Sequence, residues 1–210
     1  SGVSRLNYPL IDGVVNGCPS HLLEPARTNN FVQSNQFDTS WSVPTGITLT
    51  GSQLSPLSGA LDAWKLESDG SSGFLAINQA VSVSGTNTFS VYAKSGTNRY
   101  ISLRSLSGLD IRAQFDLQNG EVYGLSNGVS SSIEHIKDGW YRCDVAFNAS
   151  NNVFYIYPNI QGVATAGNIY IQYAQLEQGS YSTSYIPTTT SAVTRSAETA
   201  NGAGDASTFN

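Results

Sequence analysis

The chain has 210 residues, of which 40% are hydrophobic and 10% aromatic, so it can bury a core and is not a disordered segment. Its formal net charge of −5 argues against nucleic acid as a partner, because phosphate binding requires clustered lysines and arginines. No run of eighteen apolar residues exists, which excludes membrane insertion through a helix, and no secretory signal is recognised at Ser1. Because only 12% of the residues are charged, Ser, Thr, Asn, Gln and Gly must cover the surface, which is typical of extracellular and virion proteins.

Strands are the elements that the sequence predicts, because apolar and polar residues alternate in short runs bounded by Gly, Asn and Ser. In chain order, we predict strands over residues 45–51, 63–68, 72–83, 88–95, 99–106, 111–123, 139–149, 152–160 and 167–179. The run over 72–83 is either one strand or two strands joined by a bend. Residues 131–139 are expected to form a strand and a turn rather than a helix. Roughly nine or ten such strands predict an all-β fold, a two-sheet antiparallel β-sandwich.

A hairpin turn is predicted within residues 111–123, at Gln118, Asn119 and Gly120. An Asn-Gly pair adopts positive φ readily, which the tight hairpin turns require. We therefore expect this run to fold back on itself, with positive φ at both Asn119 and Gly120.

Three regions differ in composition. Residues 26–187 carry the alternating pattern, and we predict that they form the sandwich as one module. Residues 1–25 are irregular and contain several prolines and glycines, which predicts a lead-in that packs on the sandwich. Residues 188–210 are rich in Thr, Ser, Ala and Gly, which predicts an extended tail that is a linker or begins a following domain.

No pattern of catalytic or metal-binding residues stands out. The two histidines, His21 and His135, are interpreted as ordinary surface or turn residues, and no GxSxG motif is present. Most acidic residues fall in turns or at strand ends, whereas Asp116 and Asp144 lie in mid-strand and are the candidates for the carboxylate pair of a glycoside hydrolase. No His or Cys cluster has the spacing of a metal site. We therefore expect no catalytic residue and no metal site, and predict that the chain is not an enzyme.

The cysteines leave two alternatives open. Cys18 and Cys143 are too few for a disulfide framework, but they can form one disulfide that closes a long loop. A buried free thiol fits Cys143 equally well, because this residue lies in an apolar strand.

Aromatic residues outside the polar positions of the strands are interpreted first as packing residues. Trp41 and Trp64 are expected to lie in the core or at its edge rather than to serve as ligand platforms. The alternation of Tyr155 and Tyr157 with their apolar neighbours does not decide which face of the sandwich these tyrosines occupy.

Polar and aromatic side chains on three runs, 88–95, 99–106 and 111–116, are predicted to share one face of a sheet. Successive strand residues point to opposite faces, so the residues that alternate with the apolar set lie together if these strands are neighbours. They are Tyr92, Lys94, Tyr100, Ser102, Arg104, Arg112, Gln114 and Asp116. Aromatic rings stack on the C–H patches of a pyranose, while guanidiniums and amides bind its hydroxyls, so this face predicts a site for polysaccharide. A solvated sheet face, or one covered by a loop or another subunit, is the alternative.

Four separated blocks of sequence resemble a module that recurs in bacteriophage tail and virion proteins and in some bacterial surface proteins. They are "LLEPARTNNFVQSNQFDTSW", "INQAVSVSGTNTFSVYAKSG", "DGWYRCDVAF" and "IYIQYAQLEQGSYSTSYIPTTTSAVTRSAE", which follow in order from residue 22 to residue 198. More distantly, the layout is similar to the jelly-roll carbohydrate-binding modules found beside xylanases and glucanases. The resemblance implies a jelly-roll form of the sandwich, and it implies that the tail leads into a further domain.

One departure from the carbohydrate-binding modules concerns metal. Gln172 stands where those modules often carry an aspartate that serves a structural calcium ion. The departure argues against calcium here, and no cofactor is expected, although a structural calcium stays an open alternative.

We therefore expect a non-catalytic carbohydrate-binding module of a phage tail, virion or surface protein, located in the virion or outside the cell and used in host attachment. Its ligand would be a polysaccharide or glycan bound on a concave sheet face, with no nucleic acid and no membrane insertion. The predicted ligand-binding residues are Tyr92, Lys94, Tyr100, Arg104, Arg112 and Gln114. A structural or oligomerisation module, possible as a homo-oligomer, is the second interpretation, and a fragment of a polysaccharide-active enzyme is the third.

Overall fold

Short antiparallel strands make up the regular secondary structure of the described residues. The computed structural model describes residues 5–7, 10–11, 14–15, 20–106, 109–148 and 150–198. These residues divide between two compact units, one within Ser1–Arg27 and Thr194–Asn210 and the other Thr28–Val193. In none of the described ranges is there a helix long and apolar enough to cross a membrane. The predicted division into 1–25, 26–187 and 188–210 stays a prediction.

The smaller unit contains strand pairs of two or three residues. Its strands are β1 (Arg5–Asn7), β2 (Leu10–Ile11), β3 (Val14–Val15) and β4 (Ser20–Leu22). β1 pairs with β4 and β2 pairs with β3, both antiparallel. Within this unit the carboxylate of Glu24 lies 2.8 Å from Nη1 of Arg195, and Glu198 N donates to the carbonyl oxygen of Glu24. β5 (Arg27–Asn29) and β17 (Val193–Arg195) lie where the chain passes from one unit to the other.

The larger unit is a sandwich of two antiparallel sheets. Its strands are β6 (Ile47–Gln53), β7 (Ala63–Asp69), β8 (Ile77–Val83), β9 (Thr86–Ser95), β10 (Tyr100–Leu106), β11 (Ile111–Asp116), β12 (Glu121–Ser126), β13 (Ser130–Lys137), β14 (Trp140–Asn148), β15 (Asn151–Tyr157) and β16 (Ala166–Gln178). One sheet has five strands in the order β12-β11-β10-β15-β8, and the other has six in the order β13-β14-β9-β16-β7-β6. The predicted all-β, two-sheet antiparallel fold is confirmed.

The order of strands within the sheets is that of a jelly roll. From β7 to β10, consecutive strands fall in alternate sheets, so that β7-β16-β9-β14 faces β8-β15-β10-β11. β6, β12 and β13 extend these two four-stranded sheets at their edges. The connection between the end of β9 and the start of β10 therefore carries the chain from the six-stranded sheet to the five-stranded one.

The core lies between the two sheets and follows from the alternation in each strand. In β9, Phe89, Val91 and Ala93 are fully buried, and the residues between them point to the other side of the sheet. The stretch before β6, residues 28–46, is called the opening segment, and it adds aromatic rings to this core. The ring centroid of Phe31 lies 5.7 Å from that of Phe154 and 5.3 Å from that of Phe89. Aromatic contacts of this edge-to-face kind add to the free energy gained from burial alone.

The opening segment is held to the sandwich by buried side-chain amides. Asn29 donates to the carbonyl oxygens of Ala174 (3.2 Å) and Ile186 (2.9 Å), and its carbonyl oxygen accepts from the backbone N–H groups of Phe31 and Leu176. The Asn29 side chain is completely buried, so it satisfies four backbone groups that water cannot reach. This amide therefore connects three separate stretches of the larger unit.

Residues 183–186, which follow β16, cover part of the outer face of the six-stranded sheet. The completely buried carboxylate of Glu177 accepts hydrogen bonds from N and Oγ1 of Thr183, at 2.8 and 2.6 Å. Gln175 accepts from Ile186 N at 2.7 Å, and Tyr185 stacks on Tyr173 with ring centroids 4.3 Å apart. These contacts bury polar residues on this outer face.

Two local predictions need correction, and one alternative is settled. Gly120 has a φ of 70°, but Asn119 does not have positive φ, because the turn is a four-residue loop closed by a hydrogen bond from Gly120 N to Asp116 O. The run over 72–83 forms a strand only from Ile77, since a turn precedes it. Cys143 is a buried free thiol, and burial raises the pKa of this thiol; Cys18 lies outside the described residues.

Replacing Asn29 with alanine is expected to lower the free energy of unfolding by roughly 2–4 kcal/mol, because buried backbone donors and acceptors would lose their partners. Chemical denaturation followed by tryptophan fluorescence measures this change. Asn119→Ala, which removes an exposed amide from a turn, is the matched control and is expected to change stability by less than about 0.5 kcal/mol. Equal losses in the two variants would contradict the role of Asn29.

Candidate functional site

The predicted polar residues of β10 and β11 lie side by side on the outer face of the five-stranded sheet. In the antiparallel register, Tyr100 is opposite Asp116, Ser102 is opposite Gln114, and Arg104 is opposite Arg112. The alternating residues Ile101, Leu103, Ala113 and Phe115 are fully buried in the core. Four of the six predicted ligand-binding residues, Tyr100, Arg104, Arg112 and Gln114, are therefore together.

Tyr92 and Lys94 do not join them, and the expectation that the three runs are neighbouring strands is wrong for β9. β9 lies in the six-stranded sheet, so its outward residues point away from the opposite side of the sandwich. Alternation reports which side of a strand is apolar, but it carries no information on the sheet to which the strand belongs. Tyr92 lies on the outer face of the six-stranded sheet. Its ring centroid is 5.6 Å from that of Tyr173, and the guanidinium of Arg142 lies over its ring.

Two tyrosines outside the predicted set complete the face, namely Tyr155, whose side of the sheet the sequence left undecided, and Tyr123. β15 pairs with the far side of β10, and its register places Tyr157 opposite Ser102 and Tyr155 opposite Arg104. On the near side, Gln114 pairs with Gly124 whereas Phe115 pairs with Val122, so Tyr123 is the extra residue of a bulge. The Tyr123 ring, 56% exposed, lies with its centroid 4.9 Å from that of Tyr100.

We call the surface formed by these side chains the tyrosine–arginine face. It consists of Tyr100, Arg104, Arg112, Gln114, Tyr123 and Tyr155. Arg104 is four positions after Tyr100 along β10, which corresponds to about 13 Å at ~3.3 Å per residue. The two ends of the face are therefore further apart than the length of one sugar ring. Between them Ser102 is completely buried and bonded to Asn159 and Gln161, so Gln114 of β11 is the partly exposed residue between the two ends.

Several polar groups of this face have no partner within the protein. Within the part of the chain that the structure describes, the hydroxyls of Tyr100, Tyr123 and Tyr155 make no hydrogen bond, and neither does the side-chain amide of Gln114. All four side chains are at least partly exposed, so these groups are available to a ligand.

Two guanidiniums of the face share one carboxylate. Arg104 Nε lies 2.9 Å from Oδ1 of Asp110, and Arg112 Nε lies 3.1 Å from Oδ2. The hydrogen bonds from both arginines hold the pKa of Asp110 well below its usual range, and the pairing raises the pKa of Arg104. The three groups together carry one net positive charge, in a chain whose formal net charge is −5. Arg104 also donates to the hydroxyl of Tyr157 at 3.3 Å, which fixes its position.

Asp116 at the other end of the face has a structural partner. Its Oδ1 accepts from Arg99 Nε at 2.8 Å and from the backbone N–H groups of Gln118 and Asn119, which closes the turn after β11. The hydrogen bond from Arg99 and the two backbone donors lower the pKa of Asp116 to about 2. The guanidinium of Arg99 in turn lies 5.3 Å from the ring centroid of Tyr100.

The other candidates of the sequence analysis lie apart from this face. Asp144 is on the outer face of the six-stranded sheet, where it accepts from Ser132 and Ser182 and where burial raises its pKa, so it belongs to a different sheet from Asp116. His135 is exposed and contacts the Tyr141 ring, while the side chain of His21 lies outside the described residues.

The two tryptophans and Gln172 lie in the packed interior. Trp41 and Trp64 are buried, as expected, and their Nε1–H groups donate to the carbonyl oxygens of Gln33 and Asn35. Gln172 is completely buried and accepts from Ser55 Oγ at 2.5 Å. Among the described residues, no group of three or more His, Cys, Asp or Glu side chains is placed to hold a metal ion.

No family model and no curated protein matches the sequence. The structure is similar to the CBM22-1 xylan-binding domain of Paenibacillus barcinonensis Xyn10C, with a TM-score of 0.41 and 10% identity over 74% of this chain and 94% of that one. It is also similar to the enzymatically active domain of bacteriophage CBA120 tailspike protein 4, with a TM-score of 0.38 and 12% identity over 70% of this chain and 21% of that one. These are the two kinds of protein that the sequence resembles. Both TM-scores are below 0.5, so the function proposed below depends on the side chains alone.

The Arg99–Asp116 pair predicts a loss of stability in acid. The pKa of Asp116 is lowered from 3.8 to about 2 in the folded chain, so the pair stabilises the fold above pH 4 and this contribution is lost as the pH falls towards 2. Asp116→Asn is expected to show a smaller fall in the free energy of unfolding over this range, measured by urea denaturation at several pH values. Arg99→Gln, which keeps the carboxylate but removes its main partner, should behave in the same way. A fall as steep as that of the unmodified chain in both variants would contradict this assignment.

Proposed function

We propose that the larger unit is a non-catalytic carbohydrate-binding module and that it binds polysaccharide on the tyrosine–arginine face. The observation that carries this proposal is the convergence of partly exposed tyrosines from three strands on two arginines and a free amide. An outward face made only for solvation needs no such combination of rings and directed donors.

The tyrosines suit the apolar side of a sugar. Tyr100 and Tyr123 form an adjoining ring pair at one end of the face, and Tyr155 lies beside Arg104 at the other. Rings of this kind stack on the C–H patches of a pyranose, and the unpaired tyrosine hydroxyls can bind its hydroxyl groups. The distance between the two ends corresponds to an oligosaccharide rather than to a single sugar.

The guanidiniums and the amide suit the polar side. Arg104 and Arg112 present donors in fixed directions because Asp110 holds both, and Gln114 between the two ends offers a donor and an acceptor. The net positive charge of the Arg104–Asp110–Arg112 group favours polysaccharides with carboxylate, sulfate or phosphate groups. Each site is expected to bind with millimolar to micromolar affinity, about 4–8 kcal/mol, which several copies would raise.

We further infer that the module belongs to a phage tail, virion or surface protein and acts in attachment outside the cell. The scarcity of charged residues and the resemblance of four sequence blocks to phage modules support this setting.

An oligomerisation module is the second candidate, because one edge of the sandwich is apolar and exposed. The exposed fractions are 41% for Val122, 39% for Leu125, 64% for Val129 and 38% for Ile136, all on β12, β13 and their connection. Apolar groups clustered on a surface favour contact with another subunit. A stable oligomer by mass measurement in solution would support this candidate.

The third interpretation, an enzyme fragment, gains nothing from Asp110 and Asp116, since arginines hold both carboxylates.

Tyr100→Ala is expected to weaken binding of a charged polysaccharide at least about tenfold, or ~1.4 kcal/mol, because a stacking ring is lost. Affinity electrophoresis in gels that contain alginate, pectin or chondroitin sulfate measures this change. Tyr181→Ala is the matched control, since Tyr181 is an exposed tyrosine away from the face. If a polysaccharide retards both variants as much as it retards the unmodified chain, the face is not its binding site.

A further inference from the structure

A cavity of about 550 Å³ opens on the outer face of the six-stranded sheet, opposite the side that carries the tyrosine–arginine face. Three of its lining residues form a row across neighbouring strands, since Tyr170 of β16 and Trp140 of β14 both pair with Lys94 of β9. The remaining lining residues are Gln53, Leu54, Pro56 and Asp138. A volume of this size is within the range of small-ligand sites, about 300–1,000 Å³.

Two opposite charges line this cavity without meeting each other. Among the described residues, Lys94 and Asp138 form no hydrogen bond and no ion pair, whereas Lys65 on the same sheet face is paired with Glu67 at 2.8 Å. The ammonium group of Lys94 and the carboxylate of Asp138 are therefore a donor and an acceptor with no use inside the protein.

The positions of both charges are set by the backbone. Asp138 and Gly139 form the hairpin turn between β13 and β14, with φ values of 50° and 77°, as in the tight turn that joins two such strands. The side chain of Lys94 passes beside this turn: its Cε lies 3.7 Å from the position that a Cβ would take at Gly139. A hairpin turn and adjacent strands therefore form one side of the cavity, and Leu54 and Pro56 of the connection between β6 and β7 form the other.

We propose that this cavity is a second sugar-binding site, specific for a neutral terminal pyranoside. The Tyr170 ring, which is partly exposed, stacks on the apolar side of the sugar, and the buried Trp140 forms the floor. Lys94 donates to one sugar hydroxyl and Asp138 accepts from another. Because these two charges cancel, the cavity favours an uncharged sugar, in contrast to the positive charge of the tyrosine–arginine face.

The consequence is a module with two sites on opposite sides of the sandwich. A chain end in the cavity and a polysaccharide on the tyrosine–arginine face would occupy different sheets, so one module could join two glycans. This inference extends the proposed function to a separate surface, and each of the two sites can fail without the other.

The test is a titration of the ¹⁵N-labelled chain with methyl pyranosides of glucose, galactose, mannose, xylose and N-acetylglucosamine, followed by amide chemical shifts. Each sugar is added to about 50 mM, well above a millimolar dissociation constant. At least one sugar is expected to shift the amides around Lys94, Asp138 and Tyr170, and Lys94→Ala and Tyr170→Ala are expected to weaken this binding at least about tenfold. Lys65→Ala, which removes a paired lysine from the same sheet face, is the matched control and should leave binding unchanged. Tyr100→Ala should also leave the binding of the pyranoside to the cavity unchanged, because Tyr100 lies in the five-stranded sheet.

Each outcome decides one of the two sites. If none of these sugars shifts the cavity amides, or if Lys94→Ala and Tyr170→Ala bind as the unmodified chain does, the second site is refuted whatever the tyrosine–arginine face does. If the cavity binds a pyranoside while Tyr100→Ala leaves polysaccharide binding intact, the proposed function of the face is refuted and the second site is supported. The amide spectrum of each variant shows whether it has folded, and Tyr170→Phe, which keeps the ring, should retain binding if Tyr170→Ala loses the fold.

Discussion

The placement of consecutive strands in opposite sheets is the constraint on which the surfaces of this protein depend. β9 and β10 follow each other in the chain, yet one lies in the six-stranded sheet and the other in the five-stranded sheet. Their outward side chains are therefore divided between two surfaces that face away from each other. Lys94 becomes part of a cavity on one side, while Tyr100 and Arg104 become part of an extended face on the other. The two proposed sites follow from this division.

Buried amides and carboxylates hold the connecting segments against the sheets. Asn29 satisfies backbone groups of three stretches, and the side chain of Gln79 both donates to and accepts from the backbone of Val32, at 2.9 Å each. Glu177 plays a similar part for Thr183. Residues 29–36 include five amide side chains, and these can replace water at buried backbone groups. Asn35 bonds the backbone as Asn29 does, since it donates to the carbonyl oxygen of Asp62 and accepts from Tyr173 N.

The sequence was sufficient to predict the sandwich, because the period of two in runs such as 88–95 is a direct consequence of burying one side of a strand. It was also sufficient for the pairing of Arg104 with Arg112 on one face, since a short connection joins β10 to β11. It could not place β9, because the sheet to which a strand belongs is decided by contacts distant in sequence. Tyr123 was not predicted for a different reason. Its ring points towards Tyr100 because of a bulge in β12, and the alternation of apolar and polar residues does not reveal a bulge. Tyr155 is assigned to the face only by the pairing of β15 with β10.

In the proposed complex an oligosaccharide passes over Gln114 of β11, between the Tyr100–Tyr123 ring pair and the Arg104–Asp110–Arg112 group. The most direct measurement is a map of amide and arginine Nε–H chemical shifts on titration with an oligosaccharide of alginate, pectin or chondroitin sulfate. We expect saturable shifts that begin at Tyr100 and continue through Gln114 to Arg104, Arg112 and Tyr155, with few on the six-stranded sheet. Saturable shifts confined to other surfaces, or none from any of these oligosaccharides, would contradict it.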